Sequence, residues 1–73
     1  MSTSAPVAEI RLNGEPFQTP AGSTVADLVR QLQLAPDRVA VELDGRIVRR
    51  PDWGQARLEA GCLVEVVQLV GGG

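Results

Sequence analysis

The chain has no histidine, no tyrosine and no lysine. Without histidine it lacks the commonest general base and metal ligand. Without lysine it can form no internal Schiff base and offers no lysine acceptor. All seven basic residues are arginines. The single cysteine, Cys62, excludes an intrachain disulfide and fits a reducing compartment. No run reaches the roughly 18–20 apolar residues of a membrane span. Residues 1–6 have neither a basic n-region nor an apolar h-region, so they do not read as a signal peptide. The expected location is cytoplasmic, with no membrane partner. The net charge of −2, with no basic stripe, argues against a nucleic-acid partner. The 73 residues allow one domain with a small core.

What is present is patterned. Residues 8–13 alternate polar and apolar, as a half-buried strand does, with Ile10 and Leu12 facing inward. Asn13-Gly14 signals a tight hairpin. Residues 16–20 follow as a short strand whose two prolines suit a sheet edge. Thr24 and Asp27 form a capping box, with Ser23 as a competing cap. Val25, Leu28, Val29 and Leu32 then make the apolar stripe of a helix of two to three turns. Pro36 is expected to end the helical region. Residues 39–43 alternate again, and Asp44-Gly45 turns them into residues 46–49. Residues 50–54 and 58–61 read as turns, the first laying Trp53 over the core edge. Residues 63–70 are the longest apolar run, rich in β-branched residues, and read as a central strand.

The expected fold is therefore α+β: a mixed sheet of four to five strands with one helix packed across one face. The last strand is expected beside the first. The boundaries expected are a disordered lead-in at 1–7, one domain at 8–70 and a flexible glycine tail at 71–73. The tail, Gly71-Gly72-Gly73, directly follows the apolar run. A glycine stem has no Cβ and fits a narrow channel. A terminal carboxylate is ionised at neutral pH. Two readings stand: a tail that another protein activates, or a terminus or cloning scar without a role.

Strand alternation adds a candidate surface. If Val64 and Val66 point inward, Glu65, Val67 and Leu69 point outward. A two-residue turn at Asp44-Gly45 pairs Glu42 with Ile47 on the same outer face. Ile47, Val67 and Leu69 are thus a candidate docking patch, unless they pack against neighbours or a second copy. Cys62, in a turn and without a histidine, reads as an ordinary thiol. Trp53 reads as a core lid. Arg46, Arg49 and Arg50 read as a solvated edge that discourages strand pairing.

The order of elements, the length and the ending together resemble the ubiquitin-like β-grasp proteins, and within them the ThiS–MoaD sulfur carriers. The resemblance covers residues 10–73. It rests on Leu12-Asn13-Gly14-Glu15, on the run from Ala21 through Leu28, and on the run from Val39 through Val48. It extends to Trp53 five residues later, Val64-Glu65-Val66-Val67, and Val70-Gly71-Gly72-Gly73. Two positions depart from the family pattern. Arg49 follows Val48 where a proline is usual, and Cys62 follows Gly61 where an aspartate is usual.

The resemblance implies a carrier rather than an enzyme. Gly73 would be the residue whose carboxylate is adenylated and converted to a thiocarboxylate, and Gly71 and Gly72 its accessible stem. The implied partners are an E1-like adenylating enzyme of the ThiF type, a thiazole synthase of the ThiG type, and a cysteine desulfurase or other sulfur donor. ATP and Mg²⁺ would be used by the activating partner, and the carrier would bind no cofactor or metal. The pathway implied is thiamine thiazole formation. The alternatives are a carrier of the molybdopterin or cysteine type, a protein modifier, and a non-covalent β-grasp interaction module.

Overall fold

A computed structural model describes residues 6–69. Residues 1–5 and 70–73 lie outside the described residues, and with them Gly71, Gly72 and Gly73. Five strands form one mixed sheet: β1 (Val7–Leu12), β2 (Glu15–Pro20), β3 (Val39–Leu43), β4 (Arg46–Val48) and β5 (Leu63–Gln68), in the order β2-β1-β5-β3-β4. One helix, α1 (Val25–Gln31), joins the two hairpins.

Both hairpins turn on two residues with positive φ. These are Asn13 and Gly14 (50° and 82°) and Asp44 and Gly45 (52° and 84°), as in the type I′ turns that suit the right-handed twist of strands. They fix the registers Leu12 opposite Glu15 and Leu43 opposite Arg46. β5 is central, parallel to β1 and antiparallel to β3. The edges are β2, with Pro16 and Pro20, and the three-residue β4. Both discourage further strand pairing.

α1 starts as expected. Thr24 Oγ1 accepts from the Asp27 N–H (3.2 Å), and Asp27 Oδ2 accepts from the Thr24 N–H (3.0 Å). The bond from the Thr24 backbone, then that with its hydroxyl, holds the Asp27 carboxyl below its ordinary 3.8. Ser23 is no cap: its hydroxyl bonds the Pro20 carbonyl and Thr19.

The helix ends before Pro36, which instead opens a 3₁₀ turn, Pro36–Arg38. Gln33 adopts φ 58°. Its N–H bonds the Arg30 carbonyl (3.0 Å), and the Leu34 N–H bonds that of Val29 (3.2 Å). This is a Schellman ending with glutamine where glycine is usual. A β-carbon in that conformation costs about 1–2 kcal/mol, against about 0.5–1 kcal/mol for glycine's extra chain entropy. Gln33→Gly is therefore expected to stabilise the domain by up to about 1.5 kcal/mol, raising the unfolding temperature by up to about 6–12 °C. Thermal unfolding of the two proteins checks this; a lower midpoint rejects the strain.

The helical stripe and the inner sheet face close one core. Ile10, Val25, Leu28, Val29, Val41 and Val64 are buried, each contributing about 1.5–3 kcal/mol by leaving water. Trp53, on a 3₁₀ helix at Arg50–Gln55, is 5% exposed, and its indole N–H donates to the Val48 carbonyl (2.8 Å).

One expectation is borne out and one changes. The turn expected at residues 58–61 is present, closed by the Cys62 N–H on the Glu59 carbonyl (3.1 Å) with Gly61 at φ 85°. Leu58 is buried, and its N–H bonds the Ser23 carbonyl (2.9 Å), beside a bridge between Thr24 and Arg57. Pro6 and Val7, read as lead-in, belong to the fold. Val7 opens β1, and the Pro6 carbonyl accepts from Ala21 (3.0 Å).

Candidate functional site

The candidate site is the sheet face away from α1, together with the C-terminal part of β5. β5 places Val64 in the core and half-buries Val66, while Leu63, Glu65, Val67 and Leu69 lie exposed on the other face. Of the three residues expected in a docking patch, Ile47 is 71%, Val67 53% and Leu69 51% exposed. Val67 and Leu69 share a face two residues apart, and Val67 pairs with Ala40 across the ladder. The Leu69 N–H donates to the Arg38 carbonyl (2.7 Å) and carries the ladder one residue past β5.

Ile47 is not their direct neighbour. It pairs with Glu42, and Glu42 pairs with Glu65. Strands lie about 4.8 Å apart, so Ile47 is two strand widths, about 10 Å, and one further ladder step from Val67. Two carboxylates stand directly opposite each other between the apolar positions. Like charges so placed weaken a sheet.

Leu63, missed from sequence, is 54% exposed. Its parity with Glu65 and Val67 was the signal. Val7, also exposed, was hidden by its assignment to the lead-in.

The other singled-out residues fall elsewhere. Arg46, Arg49 and Arg50 are exposed at and beyond the β4 edge. Cys62, at the end of its turn, is buried. Burial first, and the Asp44 charge second, push its thiol up, so it stays protonated and unreactive at neutral pH. Among the described residues no group of three His, Cys, Asp or Glu side chains could hold a metal ion. No described helix is long and apolar enough to cross a membrane. Two concavities lie on the helix side. One of about 310 Å³ is lined by Ala26, Val29, Leu34 and Trp53. One of about 420 Å³ is lined by Pro20, Ser23, Asp27 and Arg30.

The chain is similar to known proteins over most of its length. The model of the ThiS family matches residues 10–73. The sulfur carrier protein ThiS of Escherichia coli is 31% identical over 89% of this chain and 98% of its own. A thiazole synthase of Magnetococcus marinus is 42% identical over 89% of this chain, which spans only 20% of that protein's length. The crystal structure of the thiamine biosynthesis protein ThiS from Geobacter metallireducens superposes with a TM-score of 0.77 at 28% identity, covering 89% of this chain and 99% of that one. The solution structure of a thiamine biosynthesis protein from the same organism gives 0.72 at 28% identity, covering 89% and 87%. The five-stranded sheet crossed by one helix is the fold of those relatives, and by its match from the first strand through the closing glycines the chain belongs to the ThiS family.

Proposed function

We propose that this chain is a sulfur carrier in thiamine biosynthesis and that its reactive group is the Gly73 carboxylate. The observation that carries the reading is the family match, which runs through Gly71, Gly72 and Gly73. The central β5 supports it, because the strand leading to the glycines is paired with β1 at its start and with β3 along its length.

The chemistry needs little from the carrier. The ionised carboxylate attacks the α-phosphorus of ATP and expels pyrophosphate at an E1-like, ThiF-type partner. The outer sulfur of a persulfide, supplied by a cysteine desulfurase or other donor, then displaces AMP to give an acyl disulfide, and a second thiol that attacks the donor's sulfur releases the thiocarboxylate and leaves a disulfide on the donor side. Positioning and charge neutralisation fall to the partner and its Mg²⁺. The described residues offer no acid–base constellation, and this division of labour requires none. The acceptor is a ThiG-type thiazole synthase. The Magnetococcus thiazole synthase supports this, since it carries a segment similar to this chain within one polypeptide.

The deciding experiment is intact mass after incubation with a ThiF-type enzyme, ATP, Mg²⁺ and a sulfur donor. Exchange of one terminal oxygen for sulfur is expected. An unchanged mass rejects the reading. Conjugates on other proteins point to a modifier. Full cellular function without Gly72 and Gly73 points to a non-covalent module.

The outer face supplies the docking surface, through Val67, Leu69 and, beyond the acidic pair, Ile47. Leu69→Glu places a charge where an apolar contact forms. It is expected to weaken binding to the activating enzyme about tenfold or more, about 1.4 kcal/mol. The unfolding free energy should stay within about 0.5 kcal/mol. Calorimetric titration and thermal unfolding read the two effects. Unchanged affinity removes Leu69 from the interface.

A further inference from the structure

We propose that Asn13 is a positioning residue, whose side-chain amide clamps β5 at Val66 so that the segment leading to the glycines is presented in a fixed direction. The inference rests on the carrier reading above and adds a residue to it.

The ladder leaves a gap that this side chain fills. β3 bonds the odd-numbered positions of β5, as the bonds Asp44 N–H to Leu63 O (2.7 Å) and Leu69 N–H to Arg38 O (2.7 Å) show. The even positions therefore face β1. There Arg11 N–H bonds Cys62 O (3.0 Å) and Asn13 N–H bonds Val64 O (2.8 Å). At that point β1 turns away at Asn13-Gly14, while β5 continues to Gln68. The next rung, at Val66, has lost its partner strand.

Asn13 replaces it. The Val66 N–H donates to Asn13 Oδ1 (2.8 Å), and Asn13 Nδ2 donates to the Val66 carbonyl (3.3 Å), across 53 residues of sequence. One side chain completes both backbone bonds of Val66.

The other hairpin shows why an amide is needed. Asp44 holds the same turn position and also reaches β5, its Oδ1 accepting from the Leu63 N–H (2.9 Å). There the Leu63 carbonyl is already satisfied by the Asp44 backbone N–H. An acceptor alone suffices, and the residue is aspartate. At Asn13 the backbone N–H is committed to Val64, so Val66 needs a donor and an acceptor from one side chain. Of the residues that tolerate φ near +50°, asparagine supplies both.

Val66 is five residues before Gly71. Ordering that segment in advance spares the partner the cost of ordering it on binding. Once the segment is seated, the partner holds it, so the clamp acts on capture more than on chemistry.

Two variants test this. Asn13→Gly keeps a residue suited to the turn and loses both bonds. Asn13→Asp keeps the acceptor and loses the donor. In Asn13→Gly, hydrogen exchange of the Val66 amide is expected to accelerate at least about tenfold while the amides of α1 keep their protection. The KM for the carrier in adenylation is expected to rise about tenfold with kcat within about twofold, and Asn13→Asp to fall between. Unchanged Val66 exchange in Asn13→Gly overturns the clamp. Faster exchange with unchanged KM, well below the unfolding temperature, reduces Asn13 to a structural residue and overturns the positioning role. A wild-type chain that is never adenylated rejects the carrier reading, and the positioning role with it, before any variant is made.

Discussion

Trp53→Ala is expected to cost about 3–5 kcal/mol, the usual range for deleting a buried aromatic ring. The indole packs with the buried side chains of α1 and the inner sheet face, and its N–H satisfies the Val48 carbonyl. Its removal leaves a cavity and an unpaired acceptor together. At roughly 0.05–0.15 kcal/mol per residue, a chain of 73 residues has about 4–11 kcal/mol in total. The substitution therefore removes between a quarter of that stability and all of it. The urea midpoint should fall by about 1 M or more, given slopes of about 1–3 kcal/mol per molar. Trp53→Phe separates the two causes. It retains most of the packing but orphans the carbonyl, which costs about 1–3 kcal/mol. A Trp53→Ala midpoint within error of wild type contradicts the core position.

On the carrier reading, Gly72→Val is expected to leave stability unchanged and to lower kcat/KM for adenylation about 100-fold. That is the scale on which a small misplacement of reacting atoms costs rate. Valine restricts φ and stiffens χ1 where glycine left the stem free, and it widens the chain beside the reacting carboxylate. Affinity for the activating enzyme should change less than the rate, because the outer sheet face is untouched. Steady-state adenylation, followed as pyrophosphate release, measures this. Wild-type rates in this variant remove the argument that a thin stem is needed.

The parts of the fold legible in the sequence are those set by short-range rules. Two dipeptides that tolerate positive φ, Asn13-Gly14 and Asp44-Gly45, specify both hairpins and their registers. Thr24 and Asp27 mark the helix start. The β-branched, two-sided apolar run marks β5 as central. What was not legible depends on partners distant in sequence. The Schellman ending at Gln33 carries no glycine to announce it. Leu58 is buried because it pairs with Ser23, a contact no periodicity encodes. The pairing of Glu42 with Glu65, which separates Ile47 from Val67, is set by packing between non-adjacent strands rather than by a turn. Asn13 was read correctly as a turn residue, yet its second role required knowing which rung of β5 had lost its neighbour. The candidate site was therefore only partly legible. Its exposed residues follow from alternation, but their spacing and the clamp do not.

The central place of β5 also bears on how the chain is made. The strand occupies positions 63–68 of 73, yet it joins β1 to β3 and divides the sheet into two hairpins without it. Each hairpin alone is marginal in water. Pairing β1 with β5 closes a loop of about fifty residues, a slow, non-local event. During synthesis the domain must stay open until nearly its whole length has left the ribosome. A product cut short of Gln68 lacks its middle strand and remains exposed to proteases as an unfolded chain. Folding thus waits on β5, since the native sheet cannot close until residues 63–68 are available to join β1 to β3.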